Sequence, residues 1–433
     1  MKVIVLGAGI IGVTTAYFLA KSGHEVVVID KSNSSGEGCS NSNGGQLSYS
    51  HIETWSNKSS LFSMAKNIFS PNPYLYLKDF SNKEFYQWIS DFIKNSSNEN
   101  FLKNSEKLFK ISKLSRSLMN DIISEESSLL DGKSFDYSKK GILHFYRKQK
   151  TLDAEIKKLE KFNFISRNTK ILNADECLKK EPNLTKLSDD KNLAGGILFE
   201  DDESGDCYKF TQKLEQICKE KYNVNFIFDC DIKNLLTNYK KITGINTSNG
   251  VFVADKYVYA LGGSANSLLK GIGIETKIYP VKGYSLSIKC DERFIAPNMT
   301  MTDNQNKIVY SRLGNIFRVA GTIEMSGNNL ITNKQNLNFL YHNLQKTFAN
   351  FGDIKSAKEW VGIRPFRPNS IPLIGDFHNF SNFLINSGHG SLGWTNALAS
   401  AKIIDDLLSK KPNKDFNFLN KEIHEIKNLN QLI

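Results

Sequence analysis

Gly7, Gly9 and Gly12 stand at the spacing G-x-G-x-x-G, and each can do a separate physical job. The first permits a tight turn, the second lets backbone approach a pyrophosphate, and the third lets a helix pack against a strand. Asp30, followed by Lys31, closes the next apolar run, where a carboxylate can accept hydrogen bonds from ribose hydroxyls. Three further small-residue corners could serve the same ligand: Ser40 with Asn43-Gly44-Gly45-Gln46, Ala260-Leu261-Gly262, and Gly388-His389-Gly390-Ser391-Leu392-Gly393-Trp394. In such turns successive N–H groups and hydroxyls converge on anionic or ring-polar atoms. Taken alone, residues 32–46 also read as a solvated linker. His389 titrates near neutral pH, but between two glycines it suits fixing the loop or touching a cofactor better than moving protons. Arg364 carries a planar guanidinium that can grip a carboxylate with two parallel bonds. By residue type alone, a structural ion pair is its ordinary role.

Those groups need elements to hold them. Val3-Ile4-Val5-Leu6 is a continuous apolar run bounded by glycine, which suits a buried parallel strand. Ala8, Ile10 and Ile11 fill the turn, Val13 to Lys21 continues as a helix, and Ser22-Gly23 stops it. The start of that helix points free N–H groups and partial positive charge at the phosphates. Val26 to Ile29 is the second strand. Strand, glycine turn, helix, strand and acid together make a dinucleotide site without choosing the dinucleotide.

After Asp30 the strand–helix alternation breaks off. Phe62 to Leu130 is helical in pattern, Gly141 to Tyr146 a strand, and Leu152 to Phe162 an amphipathic helix. The dinucleotide fold is expected to resume at Gly195-Gly196. Asp206 would cap a helix from Tyr208 to Lys221, followed by strands at Val224–Phe228 and Ile232–Leu236 and a hairpin at Asn249-Gly250. Val258 to Leu261 leads into a corner at Gly262-Gly263-Ser264. Ile278–Lys289, Lys307–Leu313 and Ile316–Ile323 alternate like antiparallel strands, and a helix fits Lys334 to Ala349. A strand at Phe383–Asn386 and a helix ending near Leu408 follow, and the Asn-rich tail after Lys410 reads as frayed. The expected fold class is α/β: a Rossmann-like domain from residues 1–50, 195–275 and 355–433, with an α+β substrate domain carrying an antiparallel sheet from 51–194 and 276–354.

With 433 residues, 40% of them hydrophobic, the chain can build two or three domains with large cores. Its net charge of +11 is spread over short clusters such as Lys157-Lys158 and Lys240-Lys241, each near acids. That reads as a solvated surface, with weak attraction to an acidic membrane face left open. Six dispersed cysteines without a C-x-x-C pair read as reduced thiols of a cytoplasmic protein, and no metal site is suggested. No apolar run is long enough to span a bilayer, so any membrane contact would be peripheral.

The motifs together, with Gly362-Ile363-Arg364-Pro365, Tyr279 to Leu286 and Asp202 to Cys207, resemble the FAD-dependent D-amino-acid oxidase superfamily. Within it the resemblance is to the bacterial D-amino-acid dehydrogenases, and it runs from Met1 to about Leu408. Asn369 stands where that family usually carries aspartate. The resemblance implies a non-covalent FAD lying extended. Val3, Leu6, Gly7, Ala8, Gly9, Ile10, Ile11 and Gly12 would hold its adenine end, with Asp30 and Lys31 at the ribose, backbone of Ile232 near adenine, and Ala260, Leu261 and Gly262 beside them. Ser40, Asn43, Gly44, Gly45, Gln46 and the 388–394 turn would reach the flavin. The dipole of the helix opened by that turn would favour negative charge on the N1/O2 edge.

Arg364 matches the superfamily's carboxylate-binding arginine, and Tyr284 is a second candidate contact, with a core tyrosine as its rival reading. The implied reaction is oxidative deamination of small D-amino acids such as D-alanine, by hydride transfer to flavin N5. The amine lone pair would drive it without an enzyme base, the imine hydrolysing to a 2-oxo acid and ammonia. Electrons would pass to a quinone or other respiratory acceptor at the inner membrane's cytoplasmic face. The rival readings are oxidation of glycine, sarcosine, proline or a 2-hydroxy acid, FAD-dependent modification of a tRNA base, and a flavin-holding subunit without turnover. No basic stripe interleaved with aromatics supports nucleic-acid binding.

Overall fold

A computed structural model describes residues 1–50, 52–68, 70, 73–162, 168–263, 266–290, 297–377 and 379–428. Lys2–Leu6 pairs in parallel with Glu25–Ile29 on one side and Lys256–Tyr259 on the other. Asn225–Ile227 and Phe383–Ser387 extend the sheet outward, and Leu373–Asp376 closes one edge antiparallel. The first run needs no alternation because both its faces are covered. Val3 and Val5 face a core shared with the helices Ile10–Lys21, Cys207–Tyr222 and Gly393–Leu408. Ile4 and Leu6 face a second core, with Leu235, Ile242 and Ile245 from the antiparallel strands Ile232–Asn238 and Lys241–Thr247.

The second sheet is large and mostly antiparallel. Its order is Lys358–Phe366, Tyr279–Lys289, Ile316–Met325, Ile308–Leu313, Thr300–Asp303, Ile142–Tyr146, Gly195–Phe199 and Thr169–Asn173. Leu75–Leu77 adds to it beside Ile323–Met325. The helix Lys83–Asn95 lays Phe85, Trp88 and Phe92 against Tyr279 and Phe366 of this sheet.

Two strands differ from the sequence expectation. The run starting at Gly195 pairs with Ile142–Tyr146 and Thr169–Asn173, in the large sheet rather than the parallel one. Its glycines serve packing: a Cβ on Gly196 would lie 2.8 Å from Leu143 Cδ1 and 2.9 Å from Cys177 Sγ. The strand Lys358–Phe366 likewise edges the large sheet.

The tail after Lys410 is not frayed over its described length. Phe418–His424 is helical, and Lys427–Asn428 pairs with Ile274–Glu275. Glu422 meets Arg367 at 2.9 Å, Lys107 at 3.1 Å and the Asn369 amide at 2.7 Å. Asn369 also keeps its turn, accepting the Ile371 N–H at 3.1 Å. An aspartate there would set a second carboxylate against Glu422.

Candidate active site

A cavity of about 990 Å³ runs from the C-terminal edge of the parallel sheet across the face of the large one. At the first end Gly7 adopts φ +106°, and a Cβ on Gly12 would lie 1.8 Å from the Gly7 carbonyl oxygen. A Cβ on Gly9 would meet only Ser40 Oγ, at 3.6 Å, so its open side belongs to the cavity. The helix from Ile10 has no side-chain cap of its own, and Ser40 Oγ accepts the Ile10 N–H at 3.0 Å. Asp30 is held at the wall by the N–H groups of Ala8 (2.7 Å) and Ser32 (2.8 Å). A carboxylate fixed by two donors keeps lone pairs for hydroxyls of a ligand.

The 42–46 loop crosses the cavity's middle and is tied down from distant strands. Ser285 donates to the Ser42 carbonyl at 2.7 Å, Arg318 to that of Asn43 at 2.8 Å, and Ser311 to that of Gly44 at 2.6 Å. With their carbonyls engaged on the sheet side, Gly44 and Gly45 lie flat over Val309 and Leu313: Cβ atoms there would sit 3.2 and 3.0 Å from those side chains. Gln46 reaches Thr302 Oγ1 at 2.9 Å.

The 388–394 turn closes the opposite wall. Gly388 and Gly390 adopt φ +84° and +57°, and a Cβ on Gly390 would strike the Phe366 ring at 2.9 Å. His389 is buried, and that burial pushes its pKa down to about 3, so the imidazole is neutral at working pH. Among the described residues neither its Nε2 nor Trp394 Nε1 has a hydrogen-bond partner. Both residues line the cavity. The helix Gly393–Leu408 again begins without a side-chain cap.

Arg364 lies on the edge strand, where Trp360, Gly362, Arg364 and Phe366 share a face. Its guanidinium lies flat over Gly283 of the neighbouring strand: a Cβ there would come within 2.1 Å of a guanidinium nitrogen. Gly362 gives the Trp360 ring the same clearance, at 2.0 Å. Burial lowers the Arg364 pKa, and the nearby Cys39 thiol, itself pushed up to about 11 by burial, partly offsets this. Among the described residues no hydrogen-bond or ion-pair partner meets the guanidinium, which lines the cavity. Trp55, with its ring centroid 4.7 Å from that of Phe366, walls this end.

Residues 2–407 match the family described as FAD dependent oxidoreductase, DAO. The chain belongs to the DAO family. It is 35% identical, over 95% of its length and 96% of the relative's, to a D-amino acid dehydrogenase of Paramagnetospirillum magneticum. Its fold is similar to glycine oxidase from Geobacillus kaustophilus (TM-score 0.74, 19% identity, 95% of each chain). It is also similar to L-proline dehydrogenase from P. horikoshii (TM-score 0.72, 18% identity, 98% of each chain).

FAD is therefore the cofactor of this DAO-family chain, and the cavity fits it. Two uncapped helix starts face the cavity, and two buried ring nitrogens lack a protein partner. At one end Asp30, Lys31 and Ile232 border it with Ala260, Leu261 and Gly262; at the middle come Ser40, Asn43 and Gly44 to Gln46, and opposite them His389 to Trp394. Five expected cofactor residues do not line it. Val3 and Leu6 are fully buried in the sheet, and Ala8 spends its N–H on Asp30. Gly12 packs on Gly7, and Gly388 faces Arg367 and Ile278. Ser264, taken with the Gly262 corner, lies outside the described residues.

Tyr284 borders the cavity, but its hydroxyl is engaged within the sheet. Its hydroxyl donates to Glu324 Oε2 at 2.7 Å and accepts the Asn333 N–H at 3.2 Å, and burial raises its pKa. Glu324 is in turn paired with the buried Lys282 at 2.9 Å. Through these bonds Tyr284 anchors the sheet while also lining the cavity that holds Arg364. The sequence reading missed Trp55, Tyr74, Trp360, Lys307 and Thr322, all lining the cavity. Trp360-x-Gly362-x-Arg364 was the available signal: small and large residues alternating on one strand face.

Proposed function

We propose that the chain oxidatively deaminates D-amino acids, yielding a 2-oxo acid and ammonia. The observation that carries this reading is the Arg364 guanidinium, which lines the cavity and meets no hydrogen-bond or ion-pair partner among the described residues. A buried cation is costly unless paired, and a substrate carboxylate is the planar anion its fork fits. The name of the Paramagnetospirillum relative supports an amino-acid donor of D configuration. Arg364 fixes the carboxylate and so one rotation of the substrate; the aromatic wall of Trp55 and Trp360 excludes water around Cα. Bound FAD supplies the hydride acceptor. Neutral His389 donates no charge to this chemistry, and the substrate enters with its amine deprotonated. The imine product hydrolyses in water.

We assign the electrons to a quinone-like acceptor reached at a membrane face, with the protein working in the cytoplasm as a peripheral partner. No helix among the described residues is long and apolar enough to cross a membrane. The decisive experiment is anaerobic mixing of FAD-loaded protein with D- and L-alanine and a panel of D-amino acids. Bleaching of the flavin band by D isomers alone is expected. A flavin that stays yellow with every D-amino acid, or bleaches equally with L isomers, sinks the reading.

A further inference from the structure

The strand Ile316–Met325 holds an irregularity beside the Arg364 guanidinium. Lys282 pairs with Glu324 and Tyr284 with Gly321, so Gly283 alone opposes both Thr322 and Ile323. This is a β-bulge, a device that re-aims a side chain. Thr322 takes the left-handed conformation within it, at φ +55°. A β-branched residue there is strained, and glycine would adopt the angle freely. The strain accompanies an unmet need: Thr322 is 1% exposed, and its hydroxyl is buried without a hydrogen-bond partner. Thr322 lines the cavity.

The next strand extends the row. Val309 pairs with Ala320, and Lys307 stands in the turn just before that strand, where a Cβ on Gly321 would lie 3.1 Å from its carbonyl. Lys307 also takes φ +55° and lines the same cavity; it is exposed, and among the described residues no ion pair or hydrogen bond occupies its ammonium. Behind it Lys158 is shared by Glu53 and Glu155, at 2.6 Å each, so the surrounding charge is close to balanced. Gly283, under the Arg364 guanidinium, and Thr322 thus sit on neighbouring strands about 5 Å apart, with Lys307 in the turn beyond, and Arg364, Thr322 and Lys307 line one cavity. Gly44 rests over Ala320, two residues from Thr322 on the same strand, so this group borders the flavin loop.

We infer that Thr322 and Lys307 form a side-chain subsite that selects D-amino acids ending in an oxygen acceptor, an amide or carboxylate, over apolar ones. This rests on the proposed deamination of D-amino acids. With the α-carboxylate on Arg364, a short side chain directed along the row brings its oxygen to the Thr322 hydroxyl and the Lys307 ammonium. The buried Thr322 hydroxyl is then satisfied, and the exposed Lys307 ammonium adds a second contact.

The test compares near-isosteres on FAD-loaded protein. D-Asparagine and D-aspartate should each exceed D-leucine at least tenfold in kcat/KM, since a site built to hydrogen-bond rejects analogues lacking the partner. Thr322→Val and Lys307→Met should each lower the asparagine-to-leucine ratio about tenfold, and Thr322→Ser should restore it. Thr322→Gly separates the role from folding: it should raise Tm by relieving strain while lowering the ratio. D-Leucine matching D-asparagine, or ratios untouched by these variants, overturns the inference while leaving deamination in place. A shifted flavin spectrum in Thr322→Val with an unchanged ratio also overturns it, giving the hydroxyl to the cofactor. If no D-amino acid bleaches the flavin, the underlying reading fails instead.

Discussion

The two ends of the cavity are built by opposite means. The nucleotide end is local: Gly7, Gly12 and Asp30 lie within one strand–helix–strand unit, and contacts such as Gly12 on the Gly7 carbonyl stay inside it. The Arg364 end is assembled from afar. Its floor is Gly283, its wall Trp55, its neighbour Cys39, and no two of these come from one element. A locally closed motif can be carried between proteins unchanged, whereas a site assembled at strand crossings changes whenever any contributor does. The chemistry that distinguishes one DAO-family chain from another therefore belongs at the second end.

Substituting alanine for glycine at each end tests that contrast, with the largest effect expected at the first. Gly12→Ala sets a methyl group 1.8 Å from a backbone oxygen that cannot move away. It should cost at least about 3 kcal/mol and leave no FAD-loaded protein, as read by thermal melting and flavin absorbance. Intact holoprotein would show that the local unit yields more than its contacts imply.

Arg364→Lys should keep bound FAD and Tm, yet lower kcat/KM by about a hundredfold, because an ammonium cannot reproduce the two-bond grip. Steady-state kinetics with an artificial acceptor reads this; unchanged kinetics would remove Arg364 from the site. Gly283→Ala meets a similar overlap, 2.1 Å, but against a movable guanidinium. It should leave Tm and FAD intact and raise KM about tenfold, so the same substitution breaks one end and only detunes the other.

The smallest effect is acid sensitivity. Burial alone would raise the Glu422 pKa, but Arg367, Lys107 and Asn369 hold it below its ordinary 4.5. A carboxyl depressed in the folded state lends stability that is complete above pH 4.5 and is lost as pH falls through the folded value. Glu422→Gln should therefore lower Tm at pH 7 and flatten its decline below pH 4.5, seen by melting across pH. An unchanged pH dependence would detach the tail from the stability of the Arg364 end.

How much was legible follows the same division. Val3–Leu6, the glycine turn and Asp30 were readable because periodicity and spacing act within about thirty residues. The three antiparallel strands from Ile278 to Ile323 were readable by alternation, since one face of each is core. The bulge at Thr322 was not, because a slip of one residue changes the aim of a side chain without changing the composition of its strand. Gly195-Gly196 misled for a related reason: a glycine pair looks alike whether ligand or a leucine presses on it. The anchoring bond of Tyr284 was not legible because its partner Glu324 lies 40 residues away. The helical tail escaped notice because its holds are long-range: Leu419 and Ile423 enter cores built elsewhere, and Glu422 pairs with Arg367 and Lys107.

The sheet that carries the glycine turn has a consequence for biosynthesis. Gly7 rests on Ala260, and the helix behind it packs on residues 393–408. During translation at about 5–20 residues per second, the first strand must wait tens of seconds for the segments that cover it. The nascent chain thus leaves Val3–Leu6 and Val26–Ile29, two apolar runs, uncovered until residues 383–408 are made. A chaperone that shields these runs should raise the yield of this protein, and FAD can be captured only once residues 393–408 have joined them.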